Sequence, residues 1–281
     1  MKLPKITAKQ EEIIQLLYTY RYLDRIQLQQ ALNHKDKHRV LAWLKDLREK
    51  HYVEWIYSTD FLEKTKPAIY YLGLNGVRYL KTQEWDDDTP IYPLEELRKR
   101  YKDDNRSRAF IDRSLLVASC CLSLKAANSD KASTSKAGYT WIPEAAYIDP
   151  EHDYHFLAEH EILRPSLCIV KRNSRGGVAA NYLLEIFDPS LPRYRMRYRL
   201  KNYVTYLDDQ EWEADDVQPI ILLVCPTITE LIYAKRATKK LIDDTYAEEG
   251  ELRMRFTTTE ILAKEGVMTK IWEERRLRHG L

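Results

Sequence analysis

DKHRVLAWLKDLREKHYVEWIY, Asp36–Tyr57, holds two periodicities back to back. Val40, Leu41, Leu44 and Leu47 recur at helical spacing and predict the core side of a helix. That helix starts at Asn33 or Asp36 and runs to about Lys50. Its other side carries Lys37, His38, Arg39, Lys45 and Arg48. From Tyr52 the period drops to two, placing Val53, Trp55 and Tyr57 on one face of a strand that ends at Tyr57.

Upstream, Thr7 can cap a helix over Ala8–Tyr20, with Ile13, Ile14, Leu16 and Leu17 as its apolar residues. Asp24 can cap a second, short helix whose apolar face is Ile26, Leu28 and Leu32. Downstream, Ala68–Leu72 is a second strand, rich in β-formers. Ser58–Pro67 between the strands is polar and brings Lys64 and Lys66 to an exposed tip, and Asn75–Lys81 closes the region with a short helix. Three helices followed by a two-stranded hairpin is the order of a winged helix-turn-helix, expected over residues 1–83. In that arrangement the helix from Asp36 enters the major groove of duplex DNA. Arginine and lysine there reach guanine edges or phosphates, and histidine does either more weakly. The expected DNA-binding residues are therefore Lys37, His38, Arg39, Lys45 and Arg48 on the helix and Lys64 and Lys66 on the wing. Tyr18, Tyr20, Arg21 and Tyr22 would add phosphate contacts at the turn. The competing readings are a merely solvated charged face and a protein-binding winged helix.

Glu84–Pro93, with Asp86-Asp87-Asp88 and two prolines, has no periodicity and marks a boundary. Residues 84–138 are expected to form a linker with connecting helices at Leu94–Tyr101 and Arg106–Lys125. The second has a broad apolar side of Ile111, Leu115, Leu116, Cys120, Leu122 and Leu124. From 139 to 281 strands and helices alternate. Strands are read at Thr140–Ile148 (interrupted by Pro143), Ser166–Lys171, Asn181–Phe187, Pro219–Cys225 and Arg253–Thr257. Helices are read at Arg195–Leu207 and Thr229–Asp243, and a last one is capped by Thr258. Apolar strands separated by helices predict an α/β domain whose sheet is covered on both faces.

Within that domain the chemistry turns on acids at strand ends. A restriction-endonuclease-like nuclease holds Mg²⁺ with carboxylates, because Mg²⁺ is hard and takes oxygen ligands, and places a lysine nearby for the developing charge. The usual pattern is Pro-Asp on one strand and Asp/Glu-x-Lys on the next. Here Arg164-Pro165-Ser166 puts serine in the aspartate's place, and Glu185-Ile186-Phe187 puts phenylalanine in the lysine's place. Lys201, moved to the next helix, and Glu144 are the residues able to complete a catalytic set with Glu185. Asp188 and Glu161 are further acids able to stand in for the missing one. The plainer reading of Glu144, Glu185, Asp188 and Lys201 is surface and structural charge, with Glu185 and Lys201 kept as an ion pair. Glu185, flanked by Leu183, Leu184 and Ile186, is the hardest to dismiss, since a carboxylate among apolar neighbours needs a partner.

The chain resembles the replication-relaxation proteins of bacterial plasmids and integrative elements. The resemblance rests on the N-terminal winged helix and on Trp141-x-Pro-Glu144, Arg164-Pro-Ser166, Leu184-Glu185-Ile-x-Asp188 and Lys201-x-Tyr203. The Ile220–Val224 strand and the closing Thr257-Thr258-Thr259, Gly266 and Ile271-Trp272 add to it. It implies an α/β protein with an N-terminal winged helix and a C-terminal restriction-endonuclease-like mixed sheet flanked by helices. It also implies a DNA-binding accessory or regulatory role in replication, mobilisation or their control. Members of the family commonly carry Pro-Asp where this chain has Pro165-Ser166, so the nuclease-like domain is expected to be inactive. The alternatives are a Mg²⁺-dependent endonuclease using Glu144, Glu185 and Lys201, and a winged-helix transcriptional regulator. No cofactor is expected, except Mg²⁺ for the endonuclease.

Composition narrows the rest. Of 281 residues, 31% are charged, yet the formal net charge is only +2, so nucleic-acid binding must come from local clustering. Cys120, Cys121, Cys168 and Cys225 form no CxxC pair, sit in apolar stretches and read as buried thiols of a reducing compartment. The histidines do not space with them as zinc ligands, and no metal ligand set is expected, the loose cluster His152, His155, Glu159, His160 and Glu161 included. Arg175-Gly176-Gly177 reads as a hairpin turn rather than a phosphate cradle. Met1–Tyr18 lacks the apolar core of a signal peptide, and no apolar run is long enough to span a bilayer. A cytoplasmic protein is expected, with duplex DNA as partner. Its role would admit a relaxase, replication or recombination protein, and a second copy of the chain in a homodimer.

Overall fold

The computed structural model describes residues 3–58, 65–84, 91–129, 140–144, 163, 165–175, 177–209, 218–245 and 253–274. The chain divides into two compact units, Met1–Leu122 and Ser123–Leu281. Lys64, Glu161, Arg164, Gly176, the Asp86–Asp88 run and the His152–Glu161 cluster lie outside the described residues.

In the first unit, α1 (Ala8–Tyr20), α2 (Arg25–Ala31) and α3 (Lys37–Glu49) precede β2 (Val53–Ile56) and β3 (Ile69–Leu72), and α4 (Leu74–Lys81) follows. Local chemistry sets the starts. Thr7 and Gln10 close a capping box before α1, and Asp24 and Gln27 close another before α2. Of the two starts read for α3, the second holds: the Asp36 carboxylate accepts the backbone N–H groups of His38 and Arg39. Asn33 instead ends the preceding turn with φ +47°, a left-handed conformation that asparagine tolerates. Ile13, Ile14, Leu17, Leu28, Val40, Leu44, Leu47 and Val53 are fully buried together and form the core.

Two apolar positions read as core lie on the surface: Ile26 on α2 and Leu41 on α3. On α2, which has only seven residues, Gln27 is buried instead, donating to the Leu115 carbonyl at 2.7 Å and to Ser119 Oγ at 2.8 Å. A strand of two residues, β1 (Leu23–Asp24), pairs antiparallel with β3 and completes a sheet ordered β1-β3-β2. It is too short for any period and was not legible in the sequence.

The boundary expected at residue 84 falls instead at Leu122/Ser123. Residues read as linker belong to the first unit, namely α5 (Leu94–Arg100), a 3-10 turn (Asp103–Asn105) and most of α6 (Arg108–Ser129). Polar anchors hold them. Arg21 meets Asp103 Oδ1 with Nη2 at 2.5 Å and Nε at 2.7 Å, both side chains being fully buried. The Tyr22 hydroxyl donates to the Asp103 carbonyl at 2.6 Å, and Arg100 donates to the Tyr18 carbonyl at 3.0 Å.

The second unit is a mixed sheet flanked by helices, in the order β4-β5-β6-β7-β8-β9. Strands β4 (Thr140–Glu144), β5 (Leu167–Arg172) and β6 (Val178–Ile186) are antiparallel neighbours. Helix α7 (Arg193–Asp209) then leads to β7 (Ile220–Cys225), parallel to β6. Helix α8 (Ile228–Thr245) leads to β8 (Met254–Thr258), parallel to β7. Helix α9 (Thr259–Glu265) and a short antiparallel strand β9 (Glu273–Glu274) follow. All six residues of β7 are buried, as a strand covered on both faces requires. Pro143 sits within β4 rather than interrupting it, which is tolerable because β4 is an edge strand among the described residues. Asn173 shapes the β5–β6 hairpin, its side-chain oxygen accepting the N–H groups of Arg175 and Gly177 at 3.0 Å each. Thr258 caps α9 through the Ile261 N–H. All four cysteines are buried free thiols. Among the described residues no helix is long and apolar enough to cross a membrane.

Candidate nucleic-acid interface

Helix α3 buries Val40, Leu44 and Leu47 and so turns the rest of its circumference outward. Lys37, His38, Arg39 and Lys45 are all exposed, with Leu41 and Ala42 between them. Lys45 is held only loosely, 3.8 Å from Glu49, in an exposed i,i+4 pair worth little. The negative charge of Asp36 is committed to the helix start, where the His38 and Arg39 amides hold its carboxyl below the usual carboxylate range.

Arg48 makes a contact within the first unit. It is half-buried, with its guanidinium 3.9 Å from the centre of the Trp55 ring. Trp55 in turn stacks on Tyr57, with centroids 5.4 Å apart and planes within 13°. Trp55 and Tyr57 follow Val53 along the same face, yet they are exposed while Val53 is buried. A cationic-aromatic ridge thus joins α3 to the β2 edge of the hairpin. Lys66 is exposed ahead of β3, at the same end of that hairpin as Tyr57. Of the four residues expected at the turn, Tyr20, Arg21 and Tyr22 are buried and cannot reach phosphates. Tyr18 is half-buried and packs on Tyr92, 4.6 Å between centroids, and beneath Arg100.

The second candidate site is closed. Glu185 is buried, and its Oε2 accepts both Arg199 Nη2 at 2.7 Å and the Tyr203 hydroxyl at 2.9 Å. Burial and the neighbouring Glu185 charge push the Tyr203 hydroxyl well above its usual range, and the same carboxylate raises Arg199. Lys201, expected to pair with Glu185, does not. It stands two residues from Arg199, about 200° around the helix, and is exposed. Ser166 is fully buried, and its Oγ accepts the Ile186 N–H at 2.9 Å. Phe187 is buried in the core, its N–H bonded to the Val224 carbonyl at 3.0 Å. Asp188 accepts the Ser190 N–H and hydroxyl at 2.8 and 2.6 Å, fixing the turn after β6. Glu144 lies on the edge strand opposite Cys168, which is itself opposite Leu183. Glu185 and Lys201 are therefore not gathered into one site. At Glu185 a divalent cation would be repelled by the guanidinium already bound to the carboxylate.

The chain matches none of the known protein-family models, and no curated protein matches it.

Proposed function

We propose that the protein binds double-stranded DNA through its N-terminal unit, a winged helix-turn-helix whose recognition helix is α3 and whose wing is the β2–β3 hairpin. The observation that carries this reading is the outward face of α3, where Lys37, His38, Arg39 and Lys45 stand exposed beside the Arg48–Trp55–Tyr57 ridge. Lys37, Arg39 and Lys45 supply phosphate or guanine contacts, and the exposed Leu41 offers apolar contact to a thymine methyl group. The second unit is a nuclease-like domain without nuclease chemistry. Its mixed sheet flanked by helices accords with that reading, and Glu185 is committed to Arg199 and Tyr203. Together with the resemblance to replication-relaxation proteins, this supports an accessory or regulatory role on the DNA of a mobile element.

The test measures duplex affinity of the full chain at several salt concentrations. Replacing Lys37, Arg39 and Lys45 with alanine is expected to weaken binding and to flatten the salt slope by about 2.7, at about 0.9 for each phosphate no longer neutralised. Unchanged affinity and slope would remove α3 from the interface. Incubation with supercoiled plasmid in Mg²⁺ or Mn²⁺ is expected to leave it uncut. Nicking that disappears in Glu185→Ala would instead establish an endonuclease.

A further inference from the structure

Helix α7 begins RYRMRYRLK, Arg193–Lys201, with four arginines, one lysine and no acid. This is an unfavourable way to start a helix. Cations in the first turn oppose the helix dipole, and Arg193/Arg197, Arg195/Arg199 and Arg197/Lys201 are like-charged i,i+4 pairs. Among the described residues, acids answer two of the five charges. Arg199 meets Glu185 at 2.7 Å, and Arg193 lies 3.7 Å from Glu230 and over the Tyr233 ring. Arg195 turns toward the Tyr194 hydroxyl at 3.2 Å, which cancels no charge. Arg197 and Lys201 form no ion pair among the described residues.

Between these cations stand two tyrosines that bury little. Tyr194 is 68% exposed and Tyr198 64% exposed. Tyr194, Arg197, Tyr198 and Lys201 follow i, i+3, i+4, i+7 spacing and form one outward stripe, because Met196, Leu200 and Tyr203 take the buried side. With Leu241 and Asp244 of α8 the stripe lines an open hollow of about 400 Å³. A solubilising face would mix both signs and avoid exposed rings. Aromatic faces interleaved with cations match nucleic acid, the cations taking phosphates and the rings taking bases. Rings set one helical turn apart, about 6 Å along the axis, can stack only on bases that are not already stacked within a duplex. We infer that this stripe binds single-stranded nucleic acid, and that it does so separately from the duplex-binding face of the first unit.

The experiment uses the full chain and a fluorescein-labelled oligothymidylate, read by anisotropy between about 0.05 and 0.2 M salt. The Lys37→Ala/Arg39→Ala/Lys45→Ala variant serves as background, so that failure of the duplex reading and failure of this one are seen separately. Single-strand binding is expected to persist in that background. Arg197→Ala/Lys201→Ala should weaken it and lower the salt slope by about 1.4, at about 0.7 for each phosphate released. Tyr194→Ala and Tyr198→Ala should each weaken it roughly fivefold or more, whereas the phenylalanine variants should keep the affinity because the stacking ring survives. Asp244→Asn should tighten binding by removing the acid that lines the hollow. Circular dichroism of every variant should match the parent, since the replaced side chains are exposed. Equal binding by all variants overturns the inference. So does tighter binding of a duplex of the same length through these residues. Polyglutamate displacing the oligonucleotide at equal charge concentration would assign the stripe to acidic polypeptide and overturn it as well.

Discussion

Glu185 shows what a single residue discloses and what it withholds. Its place among Leu183, Leu184 and Ile186 marks it in the sequence as a carboxylate in need of a partner. The partner's identity depends on helix phase. Arg199 and Tyr203 are four apart and share the side of α7 that meets the sheet, while Lys201 lies on the far side. Glu185 is nearly fully buried and Arg199 only partly, so removing the cation is the costlier change. Arg199→Met is expected to destabilise the second unit by about 3–5 kcal/mol, the cost of an uncompensated buried charge. Glu185→Gln should cost less, because Arg199 can turn to water. The double variant should recover much of the loss, since the unpaired carboxylate is gone. Urea unfolding of the four proteins in a double-mutant cycle measures this, and simple additivity would show that the pair is not coupled. Ser166→Asp belongs to the same account. It would put a second carboxylate beside a carboxylate that one guanidinium already satisfies, so instability rather than metal-dependent cleavage is the expected result.

Among the elements, α4 is held by the absence of side chains. A Cβ on Gly76 would press into the carbonyl oxygen of Tyr52, and one on Gly73 would stand 2.6 Å from the carbonyl oxygen of His51. The chain at His51–Tyr52 cannot easily retreat, because it is tied on both sides. Gly73 N–H donates to the Tyr52 carbonyl, Asn75 N–H donates to the His51 carbonyl, and His51 itself holds φ +56°. In an open helix Gly→Ala stabilises by about 1 kcal/mol. At position 76 overpacking works against that gain at about 1–3 kcal/mol. Gly76→Ala should therefore lower the urea midpoint of the first unit, and a raised midpoint would mean that α4 can shift away from Tyr52. Most elements were legible because their periods are long enough to count: α1, α3, α4, α7, α8 and β7 lie within a few residues of the expected spans. The misplaced residues have local causes. Ile26 stands on a helix of seven residues, where one polar side chain with buried partners outweighs an apolar one. Leu41 lies at the edge of the apolar stripe of α3, where spacing alone does not decide burial.

At the scale of the whole molecule, the large tyrosine content gives both units the same weakness toward base. Tyr22 in the first unit and Tyr203 in the second are among the fully buried tyrosines. Burial pushes both hydroxyls above their ordinary value of 10.0, for Tyr203 with added repulsion from Glu185. Burial likewise pushes the Cys225 thiol from 9.0 up to about 12, and it raises Cys120 further. A group whose folded form holds its proton more tightly than its unfolded form contributes stability below its unfolded value and loses it as pH rises. The unfolded tyrosines and cysteines ionise near pH 9–10, so the loss begins there. Each such group removes about 1.4 kcal/mol per pH unit, and Tyr203 and Cys225 act together on the second unit. A domain of ordinary stability, about 5–15 kcal/mol, cannot absorb that for long. Both units should stay folded through neutral pH and unfold cooperatively at strongly alkaline pH. The last part of the tyrosinate absorbance should appear together with the loss of circular dichroism, because Tyr22 and Tyr203 ionise only when exposed. Complete tyrosinate formation while the circular dichroism is intact would show that these hydroxyls reach solvent in the folded protein, and the packing of Tyr203 against Glu185 would then have to be abandoned.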